Sequence, residues 1–489
     1  MYARYSSTTK ELNRQPNKDI SMTWNSNDIM KTPGAAKAKV RCSYGRISLL
    51  AALLILLLAP MGVAQPGEVP LNTDAPEPLQ TYMEQAARNH PGLKADYTKL
   101  LAKSQQIPQA DALQDPELGF GWFVQPIETR LGPQEARVGI TQMFPWFGTL
   151  DARAEAAEYQ ARAALQQFQQ TRNMIFYKVQ KAWYSMYELE RRSELLREQQ
   201  SILKTFEALA LQQYEAGAGS QVDVLRAQNR IDELQVRLEN VADEKRVILQ
   251  RFRELLHNPE LDSINVVDSL GYMEPGLLAK ESQLLESLNR RNPQLLKLDE
   301  QRNSARASRR AAQKEGKPSF GLGFDYIVTG ERSGVSGLQD NGKDAMMARA
   351  MIKIPLNRDK YRAKEKQAQL QKQSIEHQQD AVQDRLHTEL QDELARYREA
   401  SRTLSLYGEK IIPRTGQAVS IEKSRYSSDG KRFEELLELQ RQLLGQKIQY
   451  EKALAKSYTS RSYVEYLTGK HSVDAGEIWN EEERIGGNR

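Results

Sequence analysis

Between Pro145 and Pro259 the chain has no proline, and between Gly148 and Gly217 it has no glycine either. Nothing in that stretch breaks a helix. At 1.5 Å per residue, the ~67 residues from Leu150 to Ala216 predict a single helix about 100 Å long. Ordinary globular helices run roughly 8–20 residues, so this feature alone removes most compact folds. Leu356–Tyr407 is a second run of the same kind. Along the first, Ile175, Val179, Ala182, Met186, Leu189, Leu196 and Leu203 follow 4/3 spacing, interrupted by Ser193. That is a coiled-coil seam, and the opposite Gln-, Glu-, Arg- and Lys-rich face is left for water.

The long run occurs twice because the chain is a tandem repeat. Asn89-His90-Pro91-Gly92-Leu93 is answered by Arg291-Asn292-Pro293-Gln294-Leu295, and Pro116–Trp122 by Pro318–Phe324, both at an offset of 202. Phe144-Pro145 is answered by Ile354-Pro355 at 210, and Tyr214, Leu225 and Gln228 by Tyr426, Leu437 and Gln440 at 212. Four anchors in one order, with offsets drifting by loop length, predict a duplication. Each copy reads as a helix of about 35 residues, two short strands around a polar loop, a very long helix, a Gly/Ser turn and a second helix. The expected division is 65–273 (β-hairpin 116–144, helical hairpin 149–257) and 274–470 (β-hairpin 318–354, helical hairpin 356–467). Residues 1–64 precede the repeats and 471–489 form a polar tail expected to be mobile.

The strands are two-faced. Leu118, Phe120 and Trp122 alternate with Glu117, Gly119 and Gly121, and Phe320, Leu322, Phe324 and Tyr326 with Ser319, Gly321, Gly323 and Asp325. On the return strands Val138 and Ile140 alternate with polar residues, as do Ala348, Ala350, Ile352 and Ile354. Period 2 puts each apolar row on one face. At about 8–10 residues each, the strands approach the ~9–11 that a tilted strand needs to cross a bilayer. An apolar row backed by a polar, Gly-rich row fits a membrane barrel and equally a soluble sheet packed on one face. Phe123, Phe144 and Trp146 at strand ends are candidates for an interfacial girdle.

The first segment decides between compartments. Lys37, Lys39, Arg41 and Arg46 precede the apolar run Ile47–Leu58, Pro60 breaks it, and Gly62-Val63-Ala64 offers a small-residue cleavage site. That is a secretory signal, too short for the ~20 residues of a spanning helix. Met30 is a candidate initiator within the long polar start. The single Cys, Cys42, lies before the apolar run, so no lipid anchor is expected and the processed chain has no disulfide. Residues 1–64 hold nine Lys/Arg against three Asp/Glu, leaving 60 basic and 61 acidic residues for the rest. The formal charge of +5 therefore gives no support to a nucleic-acid partner. Four strands per chain cannot close a barrel, and open edges cannot sit in lipid. A membrane reading thus requires an oligomer, and three chains would supply twelve strands; two or four are equally allowed by the arithmetic.

At this point the chain resembles the TolC-type outer-membrane efflux proteins. The residues that carry the resemblance are Gln142-Met143-Phe144-Pro145-Trp146-Phe147-Gly148, leading from strand to long helix, and Tyr214-Glu215-Ala216-Gly217 with Asp223-Val224-Leu225-Arg226-Ala227-Gln228 at the hairpin tip. A degenerate second copy spans Tyr426–Gln440, and the likeness covers roughly 75–470. The Phe-Pro-Trp-Phe-Gly form looks most like the branch associated with heavy-metal or cation efflux. The resemblance implies a mainly α protein with a small transmembrane β part: a homotrimer sharing a 12-stranded β-barrel in outer-membrane lipid, continued by a helical barrel through the periplasm. It implies a passive duct, without cofactor or catalysis, docked by a periplasmic adaptor protein and an inner-membrane pump of resistance-nodulation-division or ABC type.

It also implies site residues. In the family, acidic side chains of the second hairpin ring the periplasmic aperture and a basic residue latches it. Aligned on Leu437, the ring positions are Glu435 and Glu438, the latch is Lys431, and Asp223 and Arg226 hold the equivalent places in the first copy. The family carries aspartates at the ring where this chain has glutamates. Stacked carboxylates in a pore favour cations, while a solvated charged face is the other reading of Glu434, Glu435 and Glu438. Gly217, Gly219, Ser220, Asp429 and Gly430 are placed at the hairpin tips, as turn formers and adaptor contacts. The lipid face is assigned to Leu118, Phe120, Trp122, Phe320, Leu322 and Phe324. Of the five His, none forms an i,i+3 or i,i+4 pair suited to a shared metal. No phosphate loop or nucleophile elbow occurs. A soluble periplasmic coiled-coil scaffold or adaptor is the alternative; it accounts for the helices and signal but not for two duplicated two-faced β-hairpins.

Overall fold

The structure, a computed structural model, describes residues 75–271, 280–334, 337, 339–429 and 432–470. The expected export signal and polar tail lie outside the described residues.

The first copy opens with α1 (Glu77–Asn89), α2 (Pro91–Ser104) and α3 (Gln106–Asp111), and the second with α6 (Glu281–Arg291) and α7 (Pro293–Glu315). The expected 35-residue helix is therefore broken in both copies, and at the same place. The residue before a proline is pushed out of helical geometry. His90 and Asn292 accordingly sit in extended conformation, both at ψ 120°. Each then caps the helix that follows: His90 Nδ1 accepts from the Gly92 N–H at 3.1 Å, and Asn292 Oδ1 from the Gln294 N–H at 2.9 Å. The duplicated proline thus marks a break and restart.

Two β-hairpins follow these segments: β1 (Glu117–Thr129) with β2 (Gly132–Phe144), and β3 (Ser319–Thr329) with β4 (Ala345–Lys353). At 13, 13, 11 and 9 residues, most of the strands are longer than the sequence predicts. The hairpins join into one antiparallel sheet in the order β1-β2-β3-β4, so β2 and β3 seal the two copies together.

From the sheet the chain runs into α4 (Thr149–Glu215), a helix of 67 residues, and returns as α5 (Gln221–Leu256). Every residue of the predicted seam, including Ser193, is buried along α4. In the second copy, α8 (Arg358–Ser405) passes through a π-type turn over Leu406–Ile411 into α9 (Ile412–Asp429), and α10 (Phe433–Leu467) returns. The second long helix is therefore not uniform to Tyr407. Between Pro145 and Tyr214 the first copy is two residues shorter than the second between Pro355 and Tyr426, as the offsets of 210 and 212 show. That drift falls inside a helix, not in a loop as the sequence reading had it. A π-type turn accommodates extra chain without rotating the faces beyond it.

The two helical hairpins share one apolar core: Leu196, Leu203, Phe206, Val224, Ala227 and Leu234 from the first copy meet Tyr426, Phe433, Leu436, Leu437 and Leu444 from the second. Nearer the sheet, Trp183 is fully buried and its indole N–H donates to the Asn265 carbonyl at 2.9 Å. Among the described residues no helix is long and apolar enough to cross a membrane.

Candidate functional site: a two-faced sheet and paired hairpin tips

Register brings the apolar side chains of all four strands onto one face. Leu118 stands opposite Ile140, which stands opposite Phe324 and then Ala348; Phe120 is followed by Val138, Tyr326 and Met346. This face is open. Leu118, Phe120, Trp122 and Leu322 are 61–77% exposed, and Phe324 and Ile352 are exposed beside them. Among the described residues no core covers it, so burying it falls to lipid or to another molecule. Phe320 departs from the prediction: its ring is half-covered, stacked on Trp146 at 5.8 Å and beside Phe147 at 6.1 Å. The aromatic group at the helix end of the sheet is thus Trp146, Phe147 and Phe320. Phe123 is half-buried elsewhere, beside the irregularity that follows Trp122.

The opposite face is polar and close-packed. Asp325 has no exposed surface and holds Arg137 at 2.8 Å and Arg349 at 2.5 Å, one from each neighbouring strand. Gly139, opposite Asp325 in register, makes the space: a Cβ there would meet Asp325 Oδ1 at 2.1 Å. A fully buried carboxylate needs such partners. The sequence reading listed Asp325 only as a polar-row residue; charges at matching parity on adjacent strands were the signal for the cluster. Among the described residues the outer strands β1 and β4 each have one edge without a partner strand.

At the far end of the helices the tips of both copies lie together. Gly217 adopts φ +73°, a left-handed geometry natural to glycine. The Ala218 and Gly219 N–H groups both donate to the Gln213 carbonyl at 2.9 Å. A Cβ on Gly219 would meet Gln213 Cβ at 2.9 Å, so the turn is tight there. Ser220 is the cap of α5, its Oγ accepting from the Val222 N–H at 3.2 Å. Asp429 ends α9, while Gly430 and Lys431 lie outside the described residues. Arg432 begins α10 at φ +68°.

The predicted ring positions are ion-paired. Arg226 bridges the copies, 3.0 Å from Glu434 on α10 and 3.7 Å from Asp223 on its own helix. Glu435 faces Arg432 at 3.5 Å. Glu438 receives both nitrogens of the Arg441 fork, at 2.7 and 2.6 Å, and the Gln442 amide at 3.1 Å. Those donors hold its pKa down at about 2. Asp223, Arg226 and Glu434 therefore converge, Glu435 stays with Arg432, and Glu438 stands one turn along with its own arginine. Between them lies a residue the sequence reading used only as a repeat anchor: Tyr426, fully buried, its ring 4.7 Å from Phe433. Burial, then the nearby Asp223 carboxylate, pushes its phenol up to about 12. Among the described residues no three His, Cys, Asp or Glu side chains converge as a metal site would require.

Comparison with known proteins agrees with this geometry. Residues 82–257 match the family described as outer membrane efflux protein. No curated protein sequence matches the chain. Among solved structures, the outer-membrane channel OprN is similar at TM-score 0.65 and 17% identity, covering 80% of this chain and 90% of that one. The outer membrane protein VceC from Vibrio cholerae is similar at 0.63 and 16%, covering 80% and 96%. The CmeC outer membrane channel from Campylobacter jejuni is similar at 0.64 and 14%, covering 83% and 89%. At such identities the likeness establishes the fold, and the family match lies within the first copy. Both agree with the resemblance to TolC-type outer-membrane efflux proteins that the sequence motifs carry.

Proposed function

We propose that this chain is the passive exit duct of an efflux system, a homotrimer whose three sheets close a 12-stranded barrel in the outer membrane. The observation that carries the reading is the sheet itself: an exposed apolar face, a polar face built on Arg137, Asp325 and Arg349, and two unpaired edges. An apolar face turned to lipid with open edges is untenable, because nothing in the bilayer core satisfies unpaired backbone groups. Pairing β4 of one copy with β1 of the next removes both edges and encloses the polar face as the lumen. Three copies are what the family resemblance implies.

In this reading the long helical hairpins continue the lumen through the periplasm. Their tips close it, with Glu435, Glu438, Asp223, Arg226 and Lys431 around the aperture. The pairing of Arg226 with Glu434 supports a latch between the copies. The pairing of Glu438 with Arg441 weakens the negative potential such a ring would carry, so selectivity for cations is modest. Gly217, Gly219, Ser220, Asp429 and Gly430 offer the docking tips for a periplasmic adaptor, which couples the duct to an inner-membrane pump of resistance-nodulation-division or ABC type. The Phe144–Gly148 motif supports the cation-efflux branch. The duct performs no chemistry of its own.

Membrane fractionation with crosslinking tests this. Recovery in the outer-membrane fraction as heat-resistant trimers is the expected result. Release by osmotic shock as a soluble protein would select the periplasmic scaffold instead.

A further inference from the structure

The apolar face of the sheet does not stop at the last strand residue. Along β4 and beyond it the outward row reads Met346, Ala348, Ala350, Ile352, Ile354 and Leu356, all exposed, with Leu356 at 85%. Phe320, part of the Trp146–Phe147–Phe320 aromatic group, stands opposite Ile352 in register, so the row passes an aromatic belt of the kind that marks a membrane–water boundary. Directly after the row come Arg358, Lys360, Arg362, Lys364 and Lys366 in the first turns of α8.

Helix stability does not account for these basic residues. They oppose the dipole at the start of a helix, where acidic residues are favoured. Both helices carry an acid in the first turn, Asp151 in α4 and Asp359 in α8, but α8 adds five basic residues over 358–366 where the equivalent turns of α4 have only Arg153. Internal partners account for only part of the set. Arg358 donates to the Gly316 carbonyl at 3.3 Å, and Lys364 pairs with Glu315 at 2.7 Å. Glu365 is taken by Arg309 and Gln313. Lys360 and Lys366 are exposed, and Arg362 is 80% exposed, loosely facing Asp359 at 3.7 Å.

We propose that this junction is a binding surface for anionic glycerophospholipid in the leaflet on the helix side of the sheet. It rests on the reading that the apolar face meets lipid. Acyl chains lie along Ile352, Ile354 and Leu356, and the phosphate and its charged headgroup meet Lys360, Arg362 and Lys366. Long basic side chains reach a headgroup while their stems stay against apolar surface. Juxtamembrane basic clusters draw anionic lipid over neutral lipid in this way. The first copy lacks the cluster, so each chain carries one such surface.

The test is native mass spectrometry of the detergent-extracted full chain titrated with phosphatidylglycerol or phosphatidylcholine of the same acyl composition. The wild type is expected to prefer phosphatidylglycerol by about tenfold or more. Lys360→Gln with Arg362→Gln and Lys366→Gln abolishes the preference, while Lys360→Arg with Lys366→Arg retains it. Retention of heat-resistant oligomers shows that the neutral variant folds; if it does not fold, the wild-type preference and the arginine variant still decide. A membrane-held wild type without preference overturns this inference and leaves the duct standing. A chain released without detergent overturns both.

Discussion

Removing the carboxylate of Asp325 is expected to loosen the sheet where the two copies join. One buried side chain there ties β3 to both neighbours through Arg137 and Arg349. Deleting one partner of a buried ion pair costs about 3–5 kcal/mol when the charge left behind has no access to water. Here the two guanidinium side chains keep 35% and 31% of their surface exposed and can turn to solvent. The cost of Asp325→Ala is therefore about 2–3 kcal/mol per protomer. Asp325→Asn keeps the shape over Gly139 and loses the charge, at roughly half that cost. Arg137→Gln leaves Arg349 on the carboxylate and costs under about 1 kcal/mol. Gly139→Ala strikes the cluster from the other side, since its Cβ needs the place held by Asp325 Oδ1. The assay is the temperature at which the SDS-resistant oligomer dissociates. Asp325→Ala and Gly139→Ala are lowest, Asp325→Asn intermediate, and Arg137→Gln close to wild type. An Asp325→Ala oligomer as heat-resistant as the wild type would refute the reasoning.

Four other perturbations separate the tips and helices from the sheet. Phe433→Ala removes a ring that is 2% exposed and packed on Tyr426, at a cost of about 3–5 kcal/mol; amide exchange rises across both hairpin tips and not in the sheet. Glu438 has its pKa lowered from 4.5 to about 2, so its pairing with Arg441 contributes above pH 4.5 and is lost as pH falls to about 2. The melting difference between wild type and Glu438→Gln is accordingly largest above pH 4.5 and closes in acid. Deleting Gly408 from the π-type turn lets the helix revert to regular geometry and is expected to leave a folded protein. Deleting Ala182 from the middle of α4 rotates everything beyond it by about 100° and collapses the shared core, as circular dichroism and melting will show.

The periodicities of this chain were legible because helix and strand print different spacings. The α4 seam, the faces of the strands and the turn at Gly217 all stand where residue order puts them. What failed to appear needed a third dimension or a finer local rule. The break at His90-Pro91 and Asn292-Pro293 follows from the prolines alone, since the residue before a proline leaves helical geometry. The π-type turn was hidden in a two-residue drift that resembled loop variation. Asp325 became a centre only through register, which puts Arg137 and Arg349 on adjacent strands beside it. The Arg441 partner of Glu438 was within reach, three residues along one helix, where such pairs are expected. The cross-copy contact of Arg226 with Glu434 was not, because sequence does not say how two hairpins dock.

The central claim is that these chains enclose a water-filled path across a membrane, closed at the hairpin tips. Single-channel recording of the detergent-extracted oligomer in a planar bilayer tests it most directly. The account predicts small discrete steps in the wild type that enlarge with Arg226→Gln, which frees the first hairpin from Glu434. A folded, oligomeric protein that gives no steps in either form would contradict it.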